Sequence, residues 1–542
     1  MTDSQAAVAG GRARSHTSLL LILFLFALPA AAGVPGVYAI TDGTVHPVSG
    51  PAIPNGVVIV RNGLIEAVGA NLQIPADATV VDAHGGDVYP GLIDAQTSLG
   101  FPAPAPPPRR FGPRPPTPRP QLPETTAAFS AMREAKVTDA EIDAARATGV
   151  TTVLTAPSFG IFNGQAVLLD LGEGDVASRV IKDPASQQIS FNPRPAWTFP
   201  DSLMGVIADI RQTFLDAQHD ALARAIYEKN PAGNQRPQDD PALQALGPVL
   251  RHDLPAVFVA DTESMMRRVE AIAHEFGISY VISGARQAYR MPDELKAGNA
   301  PLLVSVDWPR PPAGKEDREE QPLRILRDAL LEPTTPSVLA SKGVLFALVS
   351  GGAKTAEFVP GIRKAIENGL SEDDALRAVT LSPARIFGVD RQLGSLEKGK
   401  IANVVVTDKP IFASGSAIKR IFIDGHETRL PDEEKKPAAE TPPSPLTGTW
   451  AMLVRTPQGE VNINATFHAE AGHFAGTFSG DRGSGDVRNA TLEGSSVTFT
   501  IAAQMGAETG DWVFQGAIHD DKMDGTVSTT LGSFQFTGSK PQ

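Results

Sequence analysis

Polar side chains that could take part in chemistry stand near the ends of several predicted strands. They are Gln96, Ser98, Asp261, Ser283, Asp307 and Ser350. Asp261 and Asp307 could act as an acid and base pair if burial raised the pKa of one of them. Asp261 also directly precedes Thr262-Glu263-Ser264, where a helix N-cap is expected. The serines have no histidine nearby and the sequence has no Gly-X-Ser-X-Gly segment, so no catalytic residue is assigned.

Histidine, a frequent metal ligand, is scarce where the α/β core is expected. Residues 88–390 contain only His219, His252 and His274. His274 falls within a predicted helix, His219 lies in a helical pattern, and His252 precedes a predicted strand instead of following it. In a parallel α/β barrel, metal ligands lie at the mouth, where the strands end, and none of the three histidines is placed there. We therefore predict no metal site and no cofactor.

Composition and the N-terminus indicate a compartment. The 542 residues carry a formal charge of -13, which gives no basic surface for nucleic acid, and they contain no cysteine. Arg12 and Arg14 precede an apolar run from Leu19 to Leu28, and small residues follow up to Gly33. This is the layout of a secretory signal peptide, and its apolar run is shorter than the roughly 20 residues that span a bilayer. We therefore predict a periplasmic or secreted protein with no membrane span after processing.

The order of predicted elements indicates an α/β core. Between residues 88 and 390, strand-like runs alternate with helical patterns, which is typical of a parallel α/β barrel. One predicted helix covers 138–148 and has Thr138 or Asp139 as its cap; another covers 264–276 and ends at Gly277. Earlier in the chain, Asn62-Gly63 between two apolar runs predicts a β-hairpin.

The stretch from Val88 to Gly100 carries a family signal. It reads Val-Tyr-Pro-Gly-Leu-Ile-Asp-Ala-Gln-Thr-Ser-Leu-Gly and resembles the first barrel strand of the metal-dependent amidohydrolases, close to the imidazolonepropionase-like branch. In that family His-X-His follows Pro-Gly-Leu-Ile-Asp-Ala and carries two metal ligands, whereas here the two positions are Gln96 and Ser98. The resemblance implies a (β/α)8 TIM-like barrel with a flanking composite β-sandwich, and a hydrolase that uses zinc or another divalent metal.

Other positions at which the resemblance places the metal centre are also changed. Residues 255–261 and 280–285 look like family strands that each carry a histidine ligand, and those places fall on Val259 and Gly284. Residues 343–352 look like the last strand, where the place of the catalytic aspartate falls on Gly351. We therefore expect that the metal centre is lost, and that Asp94 is kept as a structural hydrogen-bond acceptor.

The sequence also predicts how the chain is divided. The predicted parts are a signal peptide (1–32), a composite β-sandwich (33–87 and 391–430), an amidohydrolase-like barrel (88–390), a linker (431–445) and a C-terminal β-domain (446–542). An insert at 102–123 with eleven prolines and four arginines interrupts the barrel near its mouth. Eight short strands with tight turns predict a lipocalin-like meander for the last part, with its aromatic residues in the core.

Three functions remain open from the sequence. The first is an exported pseudoenzyme of the amidohydrolase superfamily that binds a small-molecule or peptide-like ligand, or a partner, at the barrel mouth. The second is an active hydrolase that acts on carbon–nitrogen bonds, such as cyclic amide or dipeptide-like bonds, through a non-standard site or one completed by a related amidohydrolase subunit. In the third, the barrel is a scaffold and the C-terminal β-domain binds envelope or surface material.

Overall fold

The computed structural model describes residues 36–101, 126–193, 199–310, 321–351, 355–430 and 446–540, the last range with gaps at 457–458, 471–472, 482, 494, 506–507, 520 and 530–531. The predicted signal peptide, the proline-rich insert and the linker lie outside the described residues. The chain divides into two compact units between Asp432 and Glu433. Within the described ranges, no helix has both the length and the apolar character needed to cross a membrane.

The described chain begins with five strands of one sheet. They are β1 (Tyr38–Val45), β2 (Ile53–Arg61), β3 (Leu64–Ala70), β4 (Thr79–Asp82) and β5 (Asp87–Pro90). Asn62 and Gly63 join β2 to β3 with φ values of 52° and 81°, the left-handed backbone that a tight hairpin turn requires. This confirms the hairpin predicted from the Asn-Gly pair.

Eight strands form the barrel sheet. They are β6 (Leu92–Thr97), β7 (Val150–Thr155), β8 (Phe162–Asp170), β9 (Val180–Ser190), β10 (Ala256–Ala260), β11 (Tyr280–Gly284), β12 (Leu302–Ser305) and β13 (Phe346–Val349). The strands are hydrogen-bonded in chain order. Small and aliphatic side chains such as Ala95, Leu154, Val257 and Leu303 fill the interior. The predicted α/β class with a barrel is therefore confirmed.

The strict (β/α)8 repeat is broken at β8. This strand runs antiparallel to both β7 and β9, while the other neighbouring pairs are parallel. Only residues 156–161 separate β7 from β8, and a parallel crossover needs about a dozen residues or more. No helix therefore connects β7 to β8, which form an antiparallel hairpin, and the N-terminal end of β8 lies at the barrel mouth.

Helices cover the outside of the barrel between the other strands. They are α1 (Ala131–Glu134), α2 (Asp139–Arg146), α3 (Leu203–Lys229), α4 (Pro241–Ala245), α5 (Gly247–Leu250), α6 (Glu263–Phe276), α7 (Pro292–Ala297), α8 (Leu323–Leu331), α9 (Thr335–Lys342), α10 (Phe358–Glu367), α11 (Glu372–Ala378) and α12 (Leu381–Ile386). Short 3-10 turns occur at Ala177–Arg179, Ala288–Arg290, Glu332–Thr334 and Thr355–Glu357. Helix α2 begins with a capping box of Thr138 and Glu141, and α6 ends at the left-handed Gly277. Both predicted helices are thus confirmed to within two residues at each end.

After the barrel, the chain returns to the first sheet. The returning strands are β14 (Val404–Thr407), β15 (Ile418–Ile423) and β16 (His426–Thr428). Hydrogen bonds connect β16-β15-β14-β5-β1-β2-β3 in that order, and β4 pairs with β1. Ile40, Val58, Val404 and Phe422 lie in the core that this sheet encloses. Strand β14 pairs with β5, which directly precedes β6. The pairing of this late strand therefore fixes the point at which the first barrel strand starts.

The second unit is a closed antiparallel barrel. Its strands are β17 (Gly448–Thr456), β18 (Gly459–Glu470), β19 (His473–Gly480), β20 (Gly483–Glu493), β21 (Ser496–Met505), β22 (Glu508–His519), β23 (Lys522–Thr529) and β24 (Gly532–Ser539). Each strand pairs with the next, and β24 pairs with β17. Trp450, Met452 and Val454 point inward at every second position of β17. This confirms the predicted all-β meander.

Candidate functional site

A cavity of about 190 Å³ opens at the mouth of the α/β barrel, among the loops that follow the parallel strands. Five of the six residues singled out from the sequence line it. These are Gln96, Ser98, Asp261, Ser283 and Asp307. Ser350 does not line the cavity; it is buried behind it, where its hydroxyl donates to the Gln96 carbonyl oxygen at 3.4 Å. Ser350 therefore supports the wall and is no longer a candidate for direct ligand contact.

Several residues of the cavity were not anticipated from the sequence. They are Asn163, Gln188, Ser190, Asn192, Arg286 and Ser305. Asn163 reaches the mouth because β8 runs antiparallel, which the sequence pattern did not reveal. Gln188 and Ser190 share a face of β9, a strand whose polar composition does not read as part of a barrel. Their period-two spacing was the signal that could have found them.

An ion pair crosses one side of the cavity. The Arg286 Nε and Nη2 groups donate to the two carboxylate oxygens of Asp261 at 3.2 and 3.1 Å, and Nη1 donates to the Asp307 carbonyl oxygen at 2.9 Å. The cap of α6 is Thr262, whose hydroxyl accepts a hydrogen bond from the Met265 amide, so the N-cap expected directly after Asp261 is confirmed. Because Arg286 engages both oxygens of Asp261, the structure does not support an acid and base pair of Asp261 with Asp307.

Asp307 differs from Asp261 in its surroundings. Its amide donates to the Ser305 hydroxyl at 3.2 Å, and its side chain is exposed. Within the described part of the chain, no donor bonds to the Asp307 carboxylate. The cavity therefore has one guanidinium on its wall and two carboxylates, of which the guanidinium neutralises only one.

Asp94 links the first and last barrel strands. Its Oδ1 accepts hydrogen bonds from the amides of Ser350 at 3.0 Å and Gln96 at 3.4 Å. Burial raises the pKa of Asp94 to about 6, although the hydrogen bonds from Ser350 act in the opposite direction. Asp94 thus acts as the structural acceptor predicted from the sequence, since it joins β6 to the segment that follows β13.

Two of the five positions at which the resemblance places metal ligands or the catalytic aspartate, Gly284 and Gly351, have little space for a side chain. Gly284 has φ +92°, and a Cβ atom there would lie 2.4 Å from Asp261 Oδ1. Gly351 has φ +64°, and a Cβ atom there would lie 2.3 Å from Ser305 Oγ. Real Cβ atoms do not approach other atoms so closely, and left-handed backbone already disfavours side chains. At both positions a ligand side chain would therefore have to displace the Asp261–Arg286 pair or Ser305.

The histidines do not supply an alternative set of ligands. His219, His252 and His274 are exposed, and none lines the cavity. His252 Nδ1 lies 3.2 Å from Ser279 Oγ, before β11 and away from the mouth. Among the described residues, no three histidine, aspartate or glutamate side chains are grouped so that they could hold a metal ion. The residues present at the mouth thus do not fit a divalent metal.

Two polar atoms near the cavity are buried and have no partner among the residues that the structure describes. Asn163 is 3% exposed; its amide nitrogen donates to the Phe159 carbonyl oxygen at 2.9 Å, but its Oδ1 accepts no hydrogen bond. Gln96 Oε1 is likewise buried and unpaired. Buried polar atoms in native proteins nearly always have partners, so exceptions call for an explanation such as a bound ligand.

Known proteins show similarity in sequence and in fold. The model of the amidohydrolase family matches residues 315–428. A putative N-acetylgalactosamine-6-phosphate deacetylase of Escherichia coli (strain K12) is 36% identical over 86 residues, which are 15% of this chain and 48% of that protein. The match thus spans about half the length of this relative.

A solved structure extends the likeness over a larger part of the chain. The crystal structure of an amidohydrolase from Thermotoga maritima MSB8 superposes with a TM-score of 0.62 and 26% sequence identity. The superposition covers 72% of this chain and 99% of that chain. Together with the family match to residues 315–428, it shows that this chain is similar to the amidohydrolase superfamily in both sequence and fold.

Proposed function

We propose that this protein is an exported amidohydrolase-superfamily member that has lost the catalytic metal centre and binds a ligand at the barrel mouth. The observation that carries the proposal is the steric closure of Gly284 and Gly351 by Asp261 and Ser305. If only the metal-binding side chains had been replaced, the space for them would remain and such side chains could be reintroduced. Here that space is occupied by side chains that hydrogen-bond to one another and to the backbone.

The chemistry available at the mouth supports binding over hydrolysis. In this superfamily the metal activates a water molecule, and an aspartate moves its proton. At the mouth, the wall consists mainly of amides and hydroxyls, and Asp261 is held by Arg286. The serines of the cavity lack a neighbouring histidine that would take their proton. Such a wall can orient a ligand by hydrogen bonds but does not generate a nucleophile.

Metal analysis of the purified protein tests this proposal. After incubation with zinc, manganese or iron(II) followed by dialysis, we expect far less than one metal ion per chain. The double variant Gln96→His with Ser98→His restores the His-X-His pattern but leaves Gly284 and Gly351 closed, so we expect that it also retains no metal. A stoichiometric metal in the wild type that is lost on Gln96→Ala substitution would overturn the proposal.

A second candidate function is an active hydrolase of carbon–nitrogen bonds. It is favoured by Asp307, whose carboxylate borders the cavity without a partner among the described residues. We expect no hydrolysis of an acetylated amino sugar, an X-Pro dipeptide or a cyclic imide, with or without added zinc. If the wild type hydrolysed one of them and Asp307→Asn did not, this second function would replace the first.

Export rests on the sequence of residues 1–32. Cell fractionation followed by mass spectrometry of the intact protein tests it. We expect a periplasmic or secreted chain that begins near Gly33, and a cytoplasmic chain with its full N-terminus would contradict export. Light scattering of the same material tests the predicted association with a related amidohydrolase subunit.

A further inference from the structure

We infer that the ligand of the barrel mouth is an uncharged, hydroxyl-rich ring compound of the size and class of a monosaccharide. This inference rests on the proposed function, because it assumes that the mouth binds a ligand and no metal. Four features of the cavity carry it: two unpaired acceptors, a wall of neutral polar groups, an unfavourable charge balance for anions, and an exposed aromatic residue next to the cavity wall in the chain.

The unpaired acceptors require a ligand that donates hydrogen bonds. The Asn163 amide nitrogen is fixed by the Phe159 carbonyl oxygen, which leaves Oδ1 as the free end of the side chain. Gln96, on the first barrel strand, has its Oε1 unpaired as well. Both atoms are carbonyl oxygens and accept only. A ligand hydroxyl or N–H group would supply the donor that each of them lacks.

The rest of the wall is suited to hydroxyl groups. Ser98, Ser190, Ser283 and Ser305 line the cavity, and a serine hydroxyl can both donate and accept. Gln188 adds a buried amide, whose nitrogen donates to the Ser186 hydroxyl at 2.9 Å and whose oxygen remains an acceptor. A sugar hydroxyl has the same double capacity, so several such groups can pair with this wall at once.

The charges at the mouth disfavour anionic ligands. Three donors of the Arg286 guanidinium are already used by Asp261 and by the Asp307 carbonyl oxygen. The carboxylate of Asp307 adds a negative charge that no described side chain neutralises. Among the described residues, no cation other than Arg286 lines the cavity, so a phosphate or carboxylate group would meet this charge without a free cation beside it. A sugar is therefore expected to bind better than its phosphate ester.

An exposed aromatic residue directly follows a residue of the cavity wall in the chain. Phe159 is 43% exposed and follows Ser158, which lines the cavity. Its ring packs edge-on against Phe129 with the centroids 5.8 Å apart, which holds it in place. One face of a sugar ring presents C–H groups, and aromatic rings favour contact with such partially positive edges. Phe159 thus offers a surface for the apolar face of the ligand.

Ligand-observed NMR with the full mature chain tests the inference. The probes are glucose, galactose, mannose, N-acetylglucosamine and inositol, and the 6-phosphates of the first four. We expect saturation transfer to at least one uncharged probe at concentrations up to about 10 mM, the range of weak binding. The corresponding phosphate should bind at least about tenfold more weakly, because of Asp307.

Variants separate the mouth from other sites. Asn163→Leu removes the unpaired acceptor, and Gln96→Leu removes the other one from a different strand. Each should weaken binding about tenfold or more, since a sugar hydroxyl would lose its partner. The matched control is Gln187→Leu, because both amide atoms of Gln187 are also buried and unpaired but the residue does not line the cavity. This control should leave binding unchanged.

The outcomes distinguish the inference from the function on which it rests. If a sugar 6-phosphate bound more tightly than the corresponding sugar, or if no uncharged probe bound, the inferred ligand class would be wrong. The proposal of a metal-free mouth would not be affected. Binding that survives both Asn163→Leu and Gln96→Leu would also contradict the inference, because the ligand would then lie elsewhere. A stoichiometric metal in the same samples would instead overturn the proposed function.

Discussion

The α/β barrel of β6–β13 and the antiparallel barrel of β17–β24 both have eight strands, but their interiors differ. At the mouth of the first, amides and hydroxyls surround a cavity, and acceptors such as Asn163 Oδ1 lack partners. The second is filled by aromatic rings: Phe499 stacks on Phe514 with the centroids 4.7 Å apart and meets Phe467 edge-on at 5.0 Å. The second barrel also has a buried polar atom without a partner among the described residues, Trp512 Nε1, but it lies within the packed core. Unpaired acceptors on the wall of a cavity therefore mark the first barrel as the place for a ligand.

This difference also bears on the function of the C-terminal barrel. Trp450 is fully buried in its core, and the indole Nε1 donates to the Leu446 carbonyl oxygen at 2.8 Å. Such an apolar, close-packed interior stabilises the unit, as the sequence predicted for its aromatic residues. Any binding of envelope or surface material by this unit would therefore have to use its outer surface. Removal of residues 446–542 tests that third hypothesis, since unchanged binding to cell envelopes would exclude it.

The largest effect is expected in the aromatic core. Phe499→Ala should lower the free energy of unfolding of the C-terminal barrel by about 3–5 kcal/mol, because Phe499 is fully buried and contacts two other rings. Hydrogen exchange followed by mass spectrometry reports on each barrel separately. We expect faster exchange in β17–β24 and unchanged exchange in β6–β13. A matched control is Phe159→Ala at an exposed position, which should change stability by less than about 1 kcal/mol.

A buried carboxyl of the first unit should show itself in the pH dependence of stability. Burial raises the pKa of Asp170 from 3.8 to about 7, although hydrogen bonds from Thr152 and Asn403 lower it. Since the folded pKa is above the unfolded one, the folded state binds more protons between these values, and stability falls as pH rises from about 4 to 7. At pH 8, Asp170→Asn should therefore be more stable than wild type by on the order of 2–4 kcal/mol.

The control for Asp170 is the same change at Asp175. This residue is exposed, and the Ser178 amide lowers the pKa of its carboxyl. Its contribution has the opposite sign, because a lowered pKa gives stability above the unfolded value that is lost as pH falls. Asp175→Asn should thus give no gain at pH 8. Denaturant titrations at pH 5 and pH 8 measure both; equal stability of Asp170→Asn and wild type at the two pH values would contradict the expected linkage.

The smallest predicted effect tests the closed metal position itself. Gly284→Ala places a Cβ atom against Asp261 Oδ1 in a left-handed backbone, and should cost about 1–3 kcal/mol. The additional change Asp261→Ala removes the collision and should recover part of the loss. Gly298→Ala is the control, because a Cβ atom there would have only ordinary contacts at 3.5 Å. If Gly284→Ala were as stable as the wild type in denaturant titrations, the position would have room for a side chain.

Local features of the sequence determined much of the fold. Thr138 and Gly277 bound the two helices that were predicted, because caps and stops depend on neighbouring residues. The eight C-terminal strands follow from inward and outward alternation, as at Trp450, Met452 and Val454. The scarcity of histidine in residues 88–390 is likewise a property of the sequence alone. None of these three features depends on contacts between residues that are far apart in sequence.

Only the tertiary structure decided the site. Asp261 meets Arg286 across two strand ends, and Asp94 bonds to an amide 256 positions away. Asn163 enters the cavity because β8 is antiparallel, which depends on the pairing of β7, β8 and β9 in space. Side-chain pairing and strand direction are set by neighbours far apart in sequence, so local patterns do not specify them. The sequence alone therefore predicted that the family's metal ligands had changed, and only the structure shows that Asp261 and Ser305 lie against Gly284 and Gly351.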